Sequence, residues 1–367
     1  MRSNAIPLLQ DFPRLRRETR GELAKRLHRQ PATALAGHSG HENCPRQPHC
    51  ALKFGVGYGK GAEQEAALRA ADYVTIWLGS HSRKHGNGFN PYWHGRMLDL
   101  VRERNVTAVY YAYIIAKLAR RAIGAKDCDA AASGEPSLCV DGAEFVRRNE
   151  PLILRTYEQF ANETAARAGR AARVVWLIEP DWYQYHAPTQ RGGGLPQPAM
   201  VRLFGRMVGR IKRHLPLASI SLDVSPWVRD QATWLLPFLE GCAVDYLHTS
   251  GGRTTAYAAR LRAHKPGNDA TWAELHRITG RGIIADTGYG VEGGPLGAEP
   301  GFDHAWVDEA NLRARIHDGI VAITQANPFA GWERLLPRLR STLPRARGCF
   351  RTKSTRRGRG NASRTHF

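Results

Sequence analysis

The chain has 367 residues, 42% of them hydrophobic and 9% aromatic, and a formal charge of +20. That apolar share supports a sizeable buried core. No apolar run reaches the ~18–20 residues a membrane helix needs, since the best candidate, TAVYYAYIIAKLA (107–119), is broken by Lys117. The charge alone would suggest a nucleic-acid partner, but residues 1–50 carry +5 and residues 338–367 carry +10, leaving only +5 on residues 51–337. The excess lies in two tails, which argues against nucleic acid.

Residues 1–50 are rich in Arg, His, Gln and Pro without sustained periodicity and read as a poorly ordered basic extension. Residues 338–367 read as a second disordered basic tail, a polyanion-binding arm or a chance extension. The span 51–337 reads as one domain. Short apolar, β-branched and aromatic runs recur along it at 54–58, 73–79, 107–115, 173–179, 219–225, 243–250 and 282–288, with a weaker eighth at 319–325. Most are too apolar for a half-exposed sheet and suit strands covered on both faces. Helical patterns separate them at 61–71, 92–104, 143–169, 198–214, 229–240, 271–279 and 305–317. Seven or eight such units predict an α/β fold, a (β/α) barrel of parallel strands. GVGYGKG (55–61) lacks the spacing of a phosphate loop.

Six cysteines are present. Cys128 and Cys139 bracket CDAAASGEPSLC, a disulfide in an oxidising compartment or two unrelated thiols. The N-terminus lacks the apolar core of a signal peptide. His38, His41, Cys44, His49 and Cys50 match no common zinc spacing. HSRKH (81–85) reads as a solvated rim or lid. The sequons at Asn105, Asn162 and Asn361 decide nothing.

In a (β/α) barrel the reactive groups sit at the C-terminal ends of the strands. Carboxylates cluster at those predicted ends: Asp127 and Asp129 after 107–115, Glu179 and Asp181 around 173–179, Asp223 in 219–225, and Asp286 in 282–288. Buried unpaired acids cost several kcal/mol, so each must be paired, hydrogen-bonded or catalytic. Aromatic residues accompany them, among them Trp77, Tyr113, Trp182, Tyr183, Tyr185, Trp227 and Tyr289. An acidic floor with aromatic walls suits a carbohydrate. Cleaving a glycosidic bond needs two carboxyl groups, one kept protonated, and crowded carboxylates hold such a proton near neutral pH.

WLIEPDWYQY (176–185) resembles the Ile-Glu-Pro-Asp strand end of glycoside hydrolase family 6, the cellobiohydrolases and endoglucanases. AKDCDAAASGE, SLDVSPW, DYLHTSGG and IIADTGYG are similar, in the same order, to further blocks of that family, over roughly residues 107–290. The resemblance implies Asp181 as general acid, Asp127 as the carboxylate holding it protonated, Asp223 as a site carboxylate and Trp227 as a stacking residue. It implies an inverting β-1,4-glucan hydrolase without metal or cofactor, secreted, acting as a monomer on a polysaccharide. The family's Lys-Pro-Gly-Gly-Glu segment, which carries its proposed base, has no counterpart after residue 290, and DTGYG and LDVSPW depart from the family blocks. The chain also resembles hypothetical secreted proteins joined to cellulose-binding modules. The alternatives are a retaining barrel hydrolase with Glu179, Asp223 or Asp286 as nucleophile, a barrel that binds polysaccharide without cutting it, and, last, a nucleic-acid-binding protein.

Overall fold

A computed structural model describes residues 49–59, 62–128, 130–225, 231–242, 244–249, 254, 256–261, 271–286, 304–325 and 331–347. Eight parallel strands close a barrel: β2 (Lys53–Gly57), β3 (Tyr73–Trp77), β4 (Thr107–Ala112), β5 (Val175–Ile178), β6 (Ser219–Val224), β7 (Tyr246–Thr249), β8 (Gly282–Asp286) and β9 (Ile320–Gln325). They are joined in chain order, and β9 closes onto β2 through the pairs Lys53↔Ala322 to Val56↔Gln325. The weak eighth run is therefore a barrel strand. Between the strands lie α1 (Ala62–Ala70), α2 (Arg96–Arg104), α3 (Ile114–Ile123), α4 (Leu138–Ala168), α5 (Gln197–His214), α6 (Gln231–Leu235), α7 (Trp272–Thr279) and α8 (Glu309–His317), and α9 (Trp332–Thr342) follows β9. The fold is a (β/α)8 barrel. None of the described helices is long and apolar enough to cross a membrane.

The strands are apolar because both faces are covered, and alternation sorts their side chains. On β4, Tyr110 points outward and bonds Thr164 of α4 at 2.9 Å. Tyr111 points inward and stacks on Trp77 at 4.9 Å. Tyr73 crosses the barrel floor to Thr324 at 3.0 Å. It can do so because Gly55, its neighbour on β2, has no side chain; a Cβ there would run into the Tyr73 ring.

The C-terminal boundary differs from the one expected from charge. α9 runs through residue 338, with Leu336 and Leu339 buried, and β10 (Ala346–Arg347) pairs antiparallel with β1 (His49–Cys50). Residues 338–347 therefore belong to the folded part: the apolar residues at 332, 335, 336 and 339 give the helix a packing face among its arginines. Cys128 and Cys139 are joined as a disulfide and are not two unrelated thiols, and Cys50 is disulfide-bonded too.

Candidate active site

β5 is apolar to its last residue, and then the chain changes character. Glu179 adopts φ 43° and Asp181 φ 64°, on either side of Pro180. Left-handed backbone at non-glycine residues costs about 1–3 kcal/mol each and persists only where tertiary contacts hold it. For Glu179 those contacts are three hydrogen bonds to one carboxylate oxygen. Its Oε1 accepts from Ile114 N and Ile115 N at 3.0 Å each, and from the Tyr157 hydroxyl at 2.8 Å. α3 has no side-chain cap from its own preceding residue, so Glu179 reaches across from β5 and caps it. Burial raises the Glu179 pKa to about 8, overcoming the lowering by its hydrogen bonds to Ile115, Tyr157 and Ile114. The sequence reading places Glu179 against substrate. The structure instead buries it completely and uses it as a helix cap.

Asp181 is half-buried and begins the turn Trp182–Tyr185, to which its side chain gives no capping bond. Asp223 holds that turn: its Oδ2 accepts from Trp182 N and from Ser225 Oγ, both at 3.0 Å. Asp223 is fully buried, so the structure shows it anchoring the Asp181 loop. Beside it on β7 lies His248, with Nε2 at 3.7 Å from Asp223 Oδ1 and Nδ1 at 3.0 Å from Ser221 Oγ. Burial pulls the His248 pKa down to about 3, so the imidazole is neutral near pH 7. The sequence reading missed His248. Its signal was the alternation that places it in register with Asp223.

Asp127 lies on the loop after α3. The Tyr113 hydroxyl donates to its Oδ1 at 3.1 Å, and Arg120 pairs with the same oxygen. Burial first, then the charges of Asp181, Tyr185 and Asp127, push the Tyr113 phenol well above its ordinary range. The Tyr185 phenol is raised in the same way, by burial and then by Glu179, Asp181 and Asp127. Asp127, Asp181, Tyr113 and Tyr185 thus come together, with Glu179 behind them. Arg120 offsets part of the field that Asp127 exerts on this cluster, and the sequence reading did not foresee it.

Two stitched loops hold this arrangement. Gln190 accepts from Ala143 N at 2.8 Å and donates to Leu138 O and Gln184 O at 2.7 Å. Thr189 Oγ1 donates to Cys139 O at 2.9 Å. The segment after Asp181 is therefore fastened to the start of α4, which the disulfide ties to Cys128, the residue after Asp127.

The aromatic residues divide. Trp77 is partly exposed, stacked on Tyr111 and edge-on to Tyr113 at 5.8 Å. Tyr183 is half-buried against Trp234 and His186. Trp182 and Tyr185 have no exposed surface, and Tyr113 has 5%. These three are expected from sequence to contact sugar, but the WYQY turn folds inward and spends Trp182 and Tyr185 on the core. Asp286 ends β8, three strands from β5, 2% exposed, with its backbone N bonded to Thr249 Oγ1 at 3.0 Å. Trp227 and Tyr289 lie outside the described residues, as do Asp129 and most of the His38–Cys50 group. Among the described residues no cluster of three His, Cys, Asp or Glu is placed to hold a metal.

The barrel and its carboxylate-lined strand ends define the class: a (β/α)8 barrel with a candidate site at the C-terminal ends of β4 to β6. No protein-family model and no curated protein matches the chain, so the likeness to family 6 rests on its motifs. Solved structures similar to this chain include an endo-β-1,4-mannanase double mutant of Cellulomonas fimi, with TM-score 0.50, 11% identity and coverage of 80% of this chain and 71% of that one. Others are morphinone reductase in complex with tetrahydroNAD (TM-score 0.49, 14% identity, 80% and 87% covered) and an exo-β-1,4-mannosidase of Opitutaceae bacterium strain TAV5 (TM-score 0.45, 11% identity, 83% and 58% covered). At such identities the likeness is one of fold.

Proposed function

We propose that the protein is a polysaccharide hydrolase whose general acid is Asp181. One observation carries the reading: Asp181 leaves the end of β5 in a left-handed conformation, half-exposed, while Glu179 and Asp223 on either side are buried and hold its loop in place. A half-exposed carboxyl on an anchored backbone at a barrel mouth, with partly exposed Trp77 nearby as a sugar platform, suits protonation of a glycosidic oxygen. Inversion and a β-1,4-glucan substrate follow from the family-6 likeness. β-Mannan joins the candidate substrates because a fold neighbour acts on it. The Cys128–Cys139 bridge is in keeping with secretion.

Incubation with β-glucan, β-mannan and β-galactan is expected to release reducing ends from at least one of them. Proton NMR at early times then shows the inverted anomer. A second reading, polysaccharide binding without cleavage, is favoured by one observation: Asp127, Asp223, Asp286 and Glu179 are each buried or ion-paired. Pull-down with an insoluble glucan and no sugar release would select it.

A further inference from the structure

The rim above β3 and β4 is cationic, and protonation of a glycosidic oxygen by Asp181 makes no use of it. No acidic residue occurs between Leu78 and Gly95, while Arg83 and Lys84 do, with His81, His85 and His94. Asn87 fixes this segment to α3, donating from Nδ2 to Gly79 O at 2.6 Å and to Lys117 O at 3.4 Å. α3 answers with Lys117, Arg120 and Arg121. Arg121 lies against the exposed His81 ring, 2.7 Å from Nδ1. Arg120 is spent on Asp127. Lys117 is different: it is half-buried, its ammonium sits 5.8 Å over the Trp77 ring, and no oxygen pairs with it among the described residues. Burial, then repulsion by Arg120, pulls the Lys117 pKa below its ordinary range.

Half-burial strips the Lys117 ammonium of part of its water at a cost, which the Trp77 face and the more distant charge of Asp127 offset only in part. It is placed beside Trp77, a mouth aromatic that remains partly exposed.

We propose that Lys117 and Arg121 form a subsite for an anionic substituent of the sugar chain, a uronate carboxylate or a sulfate ester, carried by a residue stacked near Trp77. The inference rests on the hydrolase reading only for its location, since binding can be measured without cleavage. The anion neutralises the unpaired Lys117 and relieves its repulsion from Arg120. Farther out, Lys84 over the exposed ring of Tyr92, at 5.7 Å, extends the same chemistry along the rim.

The test is calorimetry on the full chain bearing Asp181→Asn, at fixed physiological salt, with an oligogalacturonate, a sulfated oligosaccharide, a neutral manno-oligosaccharide and a DNA oligonucleotide. Lys117→Met and Arg121→Gln are compared in that background, so the basic tails are common to every sample. Each substitution is expected to weaken one of the two acidic sugars by about tenfold or more, the value of one charged hydrogen bond. Neutral sugar binding is expected to stay unchanged, and the preferred acidic ligand names the substituent. Unchanged affinity in both variants, acidic sugars bound no better than neutral ones, or equal losses for DNA would each overturn the subsite. If acidic sugars bind through Lys117 but no polysaccharide is ever cleaved, the subsite stands and the hydrolase reading falls. Cleavage of neutral glycans with no acidic preference gives the converse.

Discussion

Glu179 shows how one residue serves fold and site together. A carboxylate fully buried at the end of a core strand has a folded pKa of about 8 against a reference of 4.5. Because the folded pKa lies above the unfolded one, the protonated native state is favoured at low pH. The contribution is complete below about pH 4.5 and declines as the pH rises to about 8. Glu179→Gln keeps an oxygen for Ile114, Ile115 and Tyr157 but removes the titration. Urea unfolding between pH 5 and 8 is expected to show a flatter pH dependence than the parent, and an identical slope would contradict the assignment. Glu179→Ala leaves the Ile114 and Ile115 amides unpaired, while the Tyr157 hydroxyl keeps Ala112 O at 3.1 Å, and is expected to cost about 2–3 kcal/mol or more.

Among the elements, the loop pair after β4 and β5 carries the candidate chemistry. The disulfide closes a short loop, between residues 11 apart, that begins at the residue after Asp127, and closing a loop of that size is worth roughly 2–3 kcal/mol. Paired Cys128→Ser and Cys139→Ser substitutions are expected to lower stability by that amount in chemical denaturation. A loss in the catalytic rate should follow, because the same loop is tied to the Asp181 segment through Gln190 and Thr189. Most barrel strands were legible in the sequence because they are short apolar, β-branched and aromatic runs, although β6 carries Ser219, Ser221 and Asp223 between its apolar residues. α3 was not: the run 107–115 reads as strand to its end, whereas the strand stops at Ala112 and the helix begins at Ile114. The signal for that switch is a cap supplied by Glu179, 65 residues away, and no local pattern records it. α9 was missed for another reason, since its arginines outweighed its apolar face in a reading by charge. Trp182 and Tyr185 were misplaced because a turn's inward or outward direction depends on partners such as Gly142, which leaves room for the Tyr185 ring.

At the scale of the molecule the barrel closes around a core in which Gly55 and Tyr73 fit one another. Gly55→Ala forces a methyl into the Tyr73 ring and strains its bond to Thr324. Overpacking of this kind costs about 1–3 kcal/mol, and a matching loss in unfolding free energy is expected without a change of far-ultraviolet circular dichroism. The barrel itself says nothing of activity, since one fold hosts many chemistries, and the claim of function rests on Asp181. It is tested most directly by comparing Asp181→Asn with the parent on two substrates, a polysaccharide and a dinitrophenyl glycoside of the same sugar. The aryl group leaves without needing a proton. A lost general acid therefore predicts a fall of about 100- to 10,000-fold on the polysaccharide, with activity on the aryl glycoside largely kept. Equal losses on both substrates, or no loss on the polysaccharide, would contradict the account.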